Sequence, residues 1–570
     1  MYEHCRQCQL PFEISKDDLA FYEKVSPTFN GKKELIPPPT MCPDCREQQR
    51  LGFRNERRLY HRKSDLTGAQ IISMYSPEKP YKVFSQEEWW GDAWDPMADG
   101  QKIDPGQPFF SQFAELSRAV PRMALLNPKA ENSPYCNFTD ANKNSHLLIN
   151  SNFNEDCYYC TLLLNSRDCC DCFWTVKSER CYQCVDCEEC YNLLFSQQCR
   201  NCSDSAFLFE CQGCNHCIAC VNVRDKEYHI FNKPVAKEAF ERAIKDLRGR
   251  RNVERCGREF QAFKRTQPHI AGHMQQCEDS TGDYLSHCRG VYASYSGIES
   301  EDCRYCDAFV RSKTCMDCNS IDGAELTYET TSLIGSRNRF TAFCRDSSDL
   351  FYCWDCYSSS HLFGCIGLRH KQYCILNTQY PKEEYERLVP KIIEHMRHDG
   401  GGGAMNRTIP PQRESSGSWG EFFPVTLSPF GYNETVAAEY YPLAREDVLN
   451  RKWRWHDETP SSEQYLGPQP DLSDAIDDVR DDICDHILRC TATGKPFKVI
   501  PQELRFYRSM GIPLPQECPD QRHLDRLAKR NEKRLWDRRC AKCGKDIQTT
   551  YAPDRPEIVY CETCYLDTVY

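Results

Sequence analysis

Polar and apolar positions between residues 157 and 220 recur with a period of three. Cysteines stand at 157, 160, 169, 172, 181, 184, 187, 190, 199, 202, 211, 214, 217 and 220, all on one phase, and Cys170 alone is off it. The other slots on that phase hold Leu163, Ser166, Thr175, Ser178, Leu193, Ser196, Ser205 and Leu208. A side chain facing inward has to be small or apolar; a metal ligand does not. Polar residues such as Glu188, Glu189, Gln197 and Gln198 fall between and suit a solvent face. The pattern predicts short strands stacked at the ~4.8 Å spacing of a β-sheet around a thiol-lined interior.

A larger repeat overlies this one. C-x2-C pairs start at 157, 169, 181, 187, 199, 211 and 217, so steps of 12, 12 and 6 recur every 30 residues. The block then repeats at an offset of 145: VNVRDKEYHIFNKPVAKEAFERAIKDL (221–247) matches IGLRHKQYCILNTQYPKEEYERLVPKI (366–392). In the second block Cys288, Cys303, Cys306, Cys315 and Cys318 share one phase, and Cys344, Cys353, Cys356, Cys365 and Cys374 another. The shift between phases predicts short insertions between stacked units. Each block is expected to end in a helix, about 235–248 and 381–397, with Glu238, Arg242, Glu384 and Arg387 on its polar face. Fixed-period repeats of this kind point to a β-solenoid with its open edge covered.

Three readings of the central cysteines compete: an inward ladder, a string of small zinc knuckles, and disulfides or a redox relay. The shared phase favours the ladder. So does the second block, where Cys202 aligns with Ser347 and Cys214 with Ser359. His216 and His229 are the only histidines in residues 157–250, which is few for a zinc string.

The ends of the chain carry a different pattern. Cys5-x2-Cys8 and Cys42-x2-Cys45 supply four thiolates, the set a structural zinc takes. Pro37 to Pro39 make an extended approach to the second pair, and REQQRLGFRNERRLYHRK follows as a predicted basic helix. The order of Cys5, Cys8, Phe12, Phe21, Tyr22, Cys42, Cys45 and Arg46 resembles the zinc-ribbon (treble-clef or zinc-ribbon-like) family. The resemblance covers residues 1–63 and implies zinc binding without implying an activity. A second copy returns at 490–536, where Phe497, Leu504, Phe506 and Tyr507 match Phe12, Leu19, Phe21 and Tyr22. Cys8 is replaced there by Thr493 and Cys45 by Gln521, so this copy is expected to fold without zinc; pairing of Cys490 and Cys518 with Cys484 or His523 stays open. Cys540-x2-Cys543 and Cys561-x2-Cys564 then form a zinc-ribbon signature, with IQTTYAP and EIVYC as the two strands of its hairpin.

The expected fold is mainly β with peripheral helices: two Cys-rich β-solenoid-like blocks, 132–250 and 277–398, flanked by small zinc-ribbon modules at 1–63, 484–539 and 540–570. Residues 64–131 form an aromatic-rich capping segment, with PFFSQFAELSRAVPRM as a short amphipathic helix. Residues 251–276 read as a linker. Residues 399–483 read as a glycine-rich linker, Gly400–Gly403, followed by an extended aromatic segment strapped over other domains, and 471–482 as an acidic helix.

Composition narrows the function. The 570 residues carry 39 cysteines and a net charge of −11, with no apolar run long enough to span a membrane and no leader-like start. Cysteines in C-x2-C pairs without an export signal point to a reducing cytoplasm. Net acidity argues against nucleic acid wrapped over the whole surface and leaves local basic patches open. No phosphate-cradling glycine loop, G-x-S-x-G or H-E-x-x-H appears. The leading expectation is a non-enzymatic scaffold with two zinc ions, held by Cys5, Cys8, Cys42 and Cys45 and by Cys540, Cys543, Cys561 and Cys564. It contacts RNA or DNA through the basic helices Arg46–Lys63 and Arg522–Arg539. The alternatives are a protein-interaction solenoid and a thiol-based redox or metal-buffering protein.

Overall fold

The computed structural model describes residues 1–398, 418–457, 469–470 and 472–570. They form two compact units, Met1–Ala124 with Gly272–His456, and Leu125–Ala271 with Asp457–Tyr570. Each unit therefore joins one Cys-rich block to the module from the opposite end of the chain. The fold is sheet-rich, with twelve α-helices among the described residues. The expected glycine-rich linker Gly400–Gly403 lies outside the described residues.

Parallel pairing at a fixed step of 12 residues builds the first block. Phe173 pairs with Val185, Tyr191 with Ser203 and Asn215 with Glu227. Single bridges such as Asn137–Ile149 and Tyr158–Cys170 carry the same step between the strands. The 30-residue period of the cysteine pairs is therefore not the structural repeat. Its 6-residue step is half a level, so the pairs change sides of a 12-residue level as they climb.

The reason for the three-residue phase lies in the backbone. Every third residue, from Asn144, Leu147, Asn150 and Phe153 through Asp225 and Tyr228, has positive φ near 50°, and the inward residue follows it. Left-handed backbone costs an L-residue roughly 1–2 kcal/mol, least for Asn and Asp, which recur at these corners. Hydrogen bonds in three directions offset that cost. In each triplet one N–H reaches the next level, as Tyr158 N to Cys169 O at 2.9 Å, and one reaches the level before, as Tyr159 N to His146 O at 2.9 Å. The third, on the inward residue, points into the interior, away from any backbone carbonyl of the ladder. There the side chain one level earlier accepts it: Ser178 N bonds Ser166 Oγ at 3.1 Å, Cys190 N bonds Ser178 Oγ at 3.1 Å, and Cys172 N lies 3.3 Å from Cys160 Sγ. The same group donates to the carbonyl two residues before it, as Ser178 Oγ to Val176 O at 2.9 Å and Cys160 Sγ to Tyr158 O at 3.2 Å. An inward position thus favours a small side chain that both donates and accepts, which is what Ser and Cys share.

Cysteines and leucines fill the rest of this interior, and none of the cysteines is in a disulfide. Burial raises Cys136 to about 12, so the thiol is the stable form there. The first levels are more polar, with Asn154 Nδ2 bonded to Asn142 Oδ1 at 3.0 Å. Cys170, off the phase, faces outward into an aromatic cluster with Tyr182, Phe506 and Tyr507.

The second block repeats this plan in an eleven-stranded sheet. Its phase shifts are single deletions rather than the expected insertions: Met274 pairs with Leu285 and Thr330 with Thr341, a step of 11. Each short level contains a glycine, Gly282 (φ 149°) and Gly335 (φ 150°), whose added Cβ would lie 1.9 and 2.1 Å from the carbonyls of Ser294 and Ser347. Both blocks end in antiparallel hairpins, Glu227–Ile230 with Lys233–Pro234 and Gln372–Ile375 with Thr378–Gln379. Helices Lys237–Asp246 and Lys382–His398 follow, as the sequence predicts. The expected linker at 251–276 is instead mostly a helix, Arg250–Arg265, whose apolar side packs on Phe207 and Phe231.

The aromatic-rich segment packs on the second block. Its helix Phe109–Ala119 sets Phe109 and Phe110 against Tyr352, and Met97 packs on the interior of the second block near its last level, where Gln101 N bonds Leu376 O. Residues 418–457 strap across the same unit, burying Trp419, Phe422 and Phe423. The acidic stretch after 471 forms two 3-10 turns, Ile476–Asp478 and Asp481–Asp485, in place of the expected helix.

Candidate metal centres and their basic helices

A tight turn between strands Tyr2–His4 and Pro11–Glu13 presents Cys5 and Cys8. Cys5 N bonds Leu10 O, Gln9 N bonds Cys5 O, and Gln9 takes a φ of 64° to close the loop. Cys42 caps helix Pro43–Leu51, with Pro43 at its first position, and Cys45 lies in its first turn. Arg6 N to Thr40 O, at 2.9 Å, ties the two segments together. At the other end Cys540 and Cys543 follow strand Trp536–Arg539, and Cys561 caps helix Glu562–Val569.

These placements bring all eight predicted ligands into two groups of four, each with its Sγ atoms within 4.8 Å of one another. Cys8 and Cys42 Sγ stand 3.7 Å apart, and Cys543 and Cys561 Sγ 3.8 Å. Four sulfurs about 2.3 Å from a tetrahedral zinc stand about 3.8 Å apart, so the spacing fits that ion. In each group one thiol is held down. Hydrogen bonds from the Cys45 thiol and N–H hold Cys42 down, to about 5. Burial opposes ionisation of Cys540, but the N–H groups of Cys543, Cys561 and Lys542 outweigh it and bring it to about 6. Both second knuckles open a helix, where the N-terminal dipole adds to the stabilisation of negative charge. Among the described residues no other His, Cys, Asp and Glu side chains cluster this way. The degenerate copy keeps the turn, with Cys490 N bonded to Lys495 O and Gly494 N to Cys490 O, but Thr493 stands where a ligand would be.

The hairpin of the last module differs from expectation. Strand Asp546–Thr549 pairs with Trp536–Arg539, and Ile558–Tyr560 instead runs parallel to Pro268–Ile270.

The basic helices are shorter than expected and inward-facing. The first ends at Leu51, and residues 60–63 are a strand; the second spans Pro519–Leu527. Arg46, Arg50 and Arg54 are 3%, 0% and 1% exposed. The fourfold spacing of Arg46 and Arg50 puts them on one helical face, and Arg54 follows just beyond the helix, all three against the second block. Arg46 Nη2 lies 2.9 Å from Asp317, and Arg50 Nη1 lies 2.8 Å from Glu329. Asp317 and Glu329 are one level apart in the ladder. Burial pushes Glu329 up to about 7 against the opposing field of Arg50. The other unit repeats the arrangement. Arg526 reaches Asp171 at 2.6 Å, and Arg522 lies 3.1 Å from both Asp171 and Glu503. The basic run suggests a phosphate-binding face, whereas these arginines fasten each module to its ladder. The signal that distinguishes the two roles is in the sequence: the spacing Arg46, Arg50, Arg54 survives as Arg522, Arg526, Arg530 in a copy that has lost two ligands.

No helix among the described residues is long and apolar enough to cross a membrane. Compared with known protein families and with characterised proteins, the chain gives no match.

Proposed function

We propose that this chain is a non-enzymatic, zinc-stabilised scaffold: two thiol-filled β-solenoids, each clamped by a module of the zinc-ribbon type, whose outer surface docks another protein. Burial of the helix arginines carries this reading. Charges spent on Asp317, Glu329 and Asp171 of the ladders, and on Glu503 of the module's own helix Pro501–Met510, are not offered to a phosphate backbone, and the pairs to the ladders serve to lock module to ladder. A site of four thiolates closes zinc's coordination shell and leaves no position for substrate, which suits a structural ion. The cysteine interior supports packing over metal storage or redox exchange, because its sulfurs are buried among one another and among leucines.

The test combines metal content with a thiol count in the native state. The scaffold reading expects two zinc ions per chain and central thiols that react only after unfolding. More than two ions, or rapid titration of many native thiols, overturns it in favour of metal buffering or redox chemistry. Capture experiments separate the partners: a protein partner survives nuclease treatment. Retention that disappears with nuclease and weakens steeply with salt supports RNA or DNA, through exposed residues such as Lys63, Arg534 and Arg539.

A further inference from the structure

The module that follows helix Pro43–Leu51 matches the C-terminal four-cysteine module without a gap. Gly68, Ile71, Tyr75, Pro77, Pro80 and Val83 recur, at one constant spacing, as Gly544, Ile547, Tyr551, Pro553, Pro556 and Val559. On that alignment Cys540, Cys543, Cys561 and Cys564 fall on Ser64, Thr67, Ser85 and Glu88. The backbones agree. Strand Tyr60–Lys63 pairs with Gln70–Ser73 in the register that Trp536–Arg539 uses with Asp546–Thr549. Ser64 N bonds Ala69 O at 2.8 Å, as Cys540 N bonds Lys545 O at 2.8 Å, and Gly68 and Gly544 both have a φ of 77°. Ser85 caps helix Gln86–Trp90 as Cys561 caps Glu562–Val569.

We infer that residues 60–90 are a fourth ribbon whose metal has been replaced by the Glu88 carboxylate. Ser64 Oγ and Thr67 Oγ1 each donate to Glu88, and Ser85 N donates to Glu88 Oε2 at 2.8 Å. The carboxylate thus gathers the two knuckles at the point where a zinc would gather four sulfurs. Charge-assisted bonds of this kind are roughly twice as strong as neutral ones. Burial would raise the Glu88 carboxyl, and these donors outweigh it and hold it low. The other metal-free copy uses Cys490, Thr493, Cys518 and Gln521, so each unit pairs one metal-locked ribbon with one that needs no metal. Helix Gln86–Trp90 presses Trp89, fully buried, against Tyr357 of the ladder, so the hydrogen-bonded ribbon is a second clamp that chelation does not loosen.

The inference rests on the zinc reading of the two four-cysteine groups, which the wild-type metal count tests alone. Its own test is the increment. The full chain carrying S64C, T67C, S85C and E88C is expected to bind one zinc more than wild type by native mass spectrometry. A folded variant with an unchanged count overturns it. Should that variant fail to fold, hydrogen exchange of the Glu88→Gln chain decides alone. Glu88→Gln supplies an independent arm: amides of the 60–73 hairpin should exchange at least about tenfold faster while zinc content stays constant, and unchanged exchange overturns the role given to the carboxylate.

Discussion

Ser178 offers a clean test of why the interior is built from Ser and Cys. Its Oγ donates to Val176 O at 2.9 Å and accepts Cys190 N at 3.1 Å, and the residue is 2% exposed. Ser178→Ala deletes one atom. It leaves the Cys190 N–H and a lone pair of the Val176 carbonyl buried without partners, at a cost of about 1–3 kcal/mol for the orphaned donor. Ser178→Cys keeps both functions with a longer, weaker pair of bonds, as Cys160 does in its own column with Cys172, and gains a buried sulfur. Its expected cost is under about 1 kcal/mol. For a unit of this size each kcal/mol moves the midpoint by about 2–4 °C. Thermal unfolding of the full chain at fixed free zinc, followed by circular dichroism, separates the two variants. An alanine chain as stable as the cysteine chain refutes the argument. The interior would then select for size alone, and the inward N–H groups would need no side-chain acceptor.

Three further outcomes follow from the clamps and the buried histidines. Asp171→Asn leaves Arg526 in the interior without its carboxylate and Arg522 with Glu503 alone, and should cost about 3–5 kcal/mol, while adding Arg526→Met should restore part of the loss in chemical denaturation. Cys5→Ser and Cys540→Ser should each lower the zinc count by one without changing the other site, read by native mass spectrometry. Burial holds His269, between Phe209 and Tyr551, down to about 4. A depressed base favours folding above its unfolded pKa of about 6.5 and loses that contribution as pH falls through the folded value, so going from pH 8 to pH 5 should cost about 2 kcal/mol. His269→Phe should flatten the acid limb of stability by that amount, and an unchanged slope would remove His269 from the account.

Much of the ladder is legible in the sequence because its inward positions admit so few residue types. The phase, the 145-residue duplication and the terminal helices at 237–246 and 382–398 all follow from that restriction. The true repeat of 12 is harder to see. Leu, Ser and Thr substitute freely for Cys, so the cysteine pairs advertise their own spacing and not that of the backbone. The two short levels leave only a changed phase behind them, which an insertion and a deletion produce alike until Gly282 and Gly335 are placed. At the candidate sites all eight cysteines are recognisable from spacing. The ribbon at 60–90 escapes because its ligands became Ser64, Thr67, Ser85 and Glu88, and its ancestry survives in the glycine, prolines and strand residues that shape it. The buried arginines read as surface charge because their partners, Asp317 and Glu329, lie in a distant block.

That distance matters when the chain is made. Within a ladder each new level binds residues about 12 positions back, so the sheets can zip up as fast as residues are supplied. The clamps cannot. Arg46 precedes Asp317 by 271 residues, and Asp171 precedes Arg526 by 355. At ribosomal rates of about 5–20 residues per second, the first module waits some tens of seconds for the ladder that buries its arginines. The first ladder in turn stands with Asp171 uncovered until the end of synthesis nears. On the proposed reading, zinc bound by Cys5, Cys8, Cys42 and Cys45 long before that would give the N-terminal module a fold to keep while its docking surface is still being translated. The degenerate copy at 490–536 meets a finished ladder, which fits a module that has dispensed with two of its ligands.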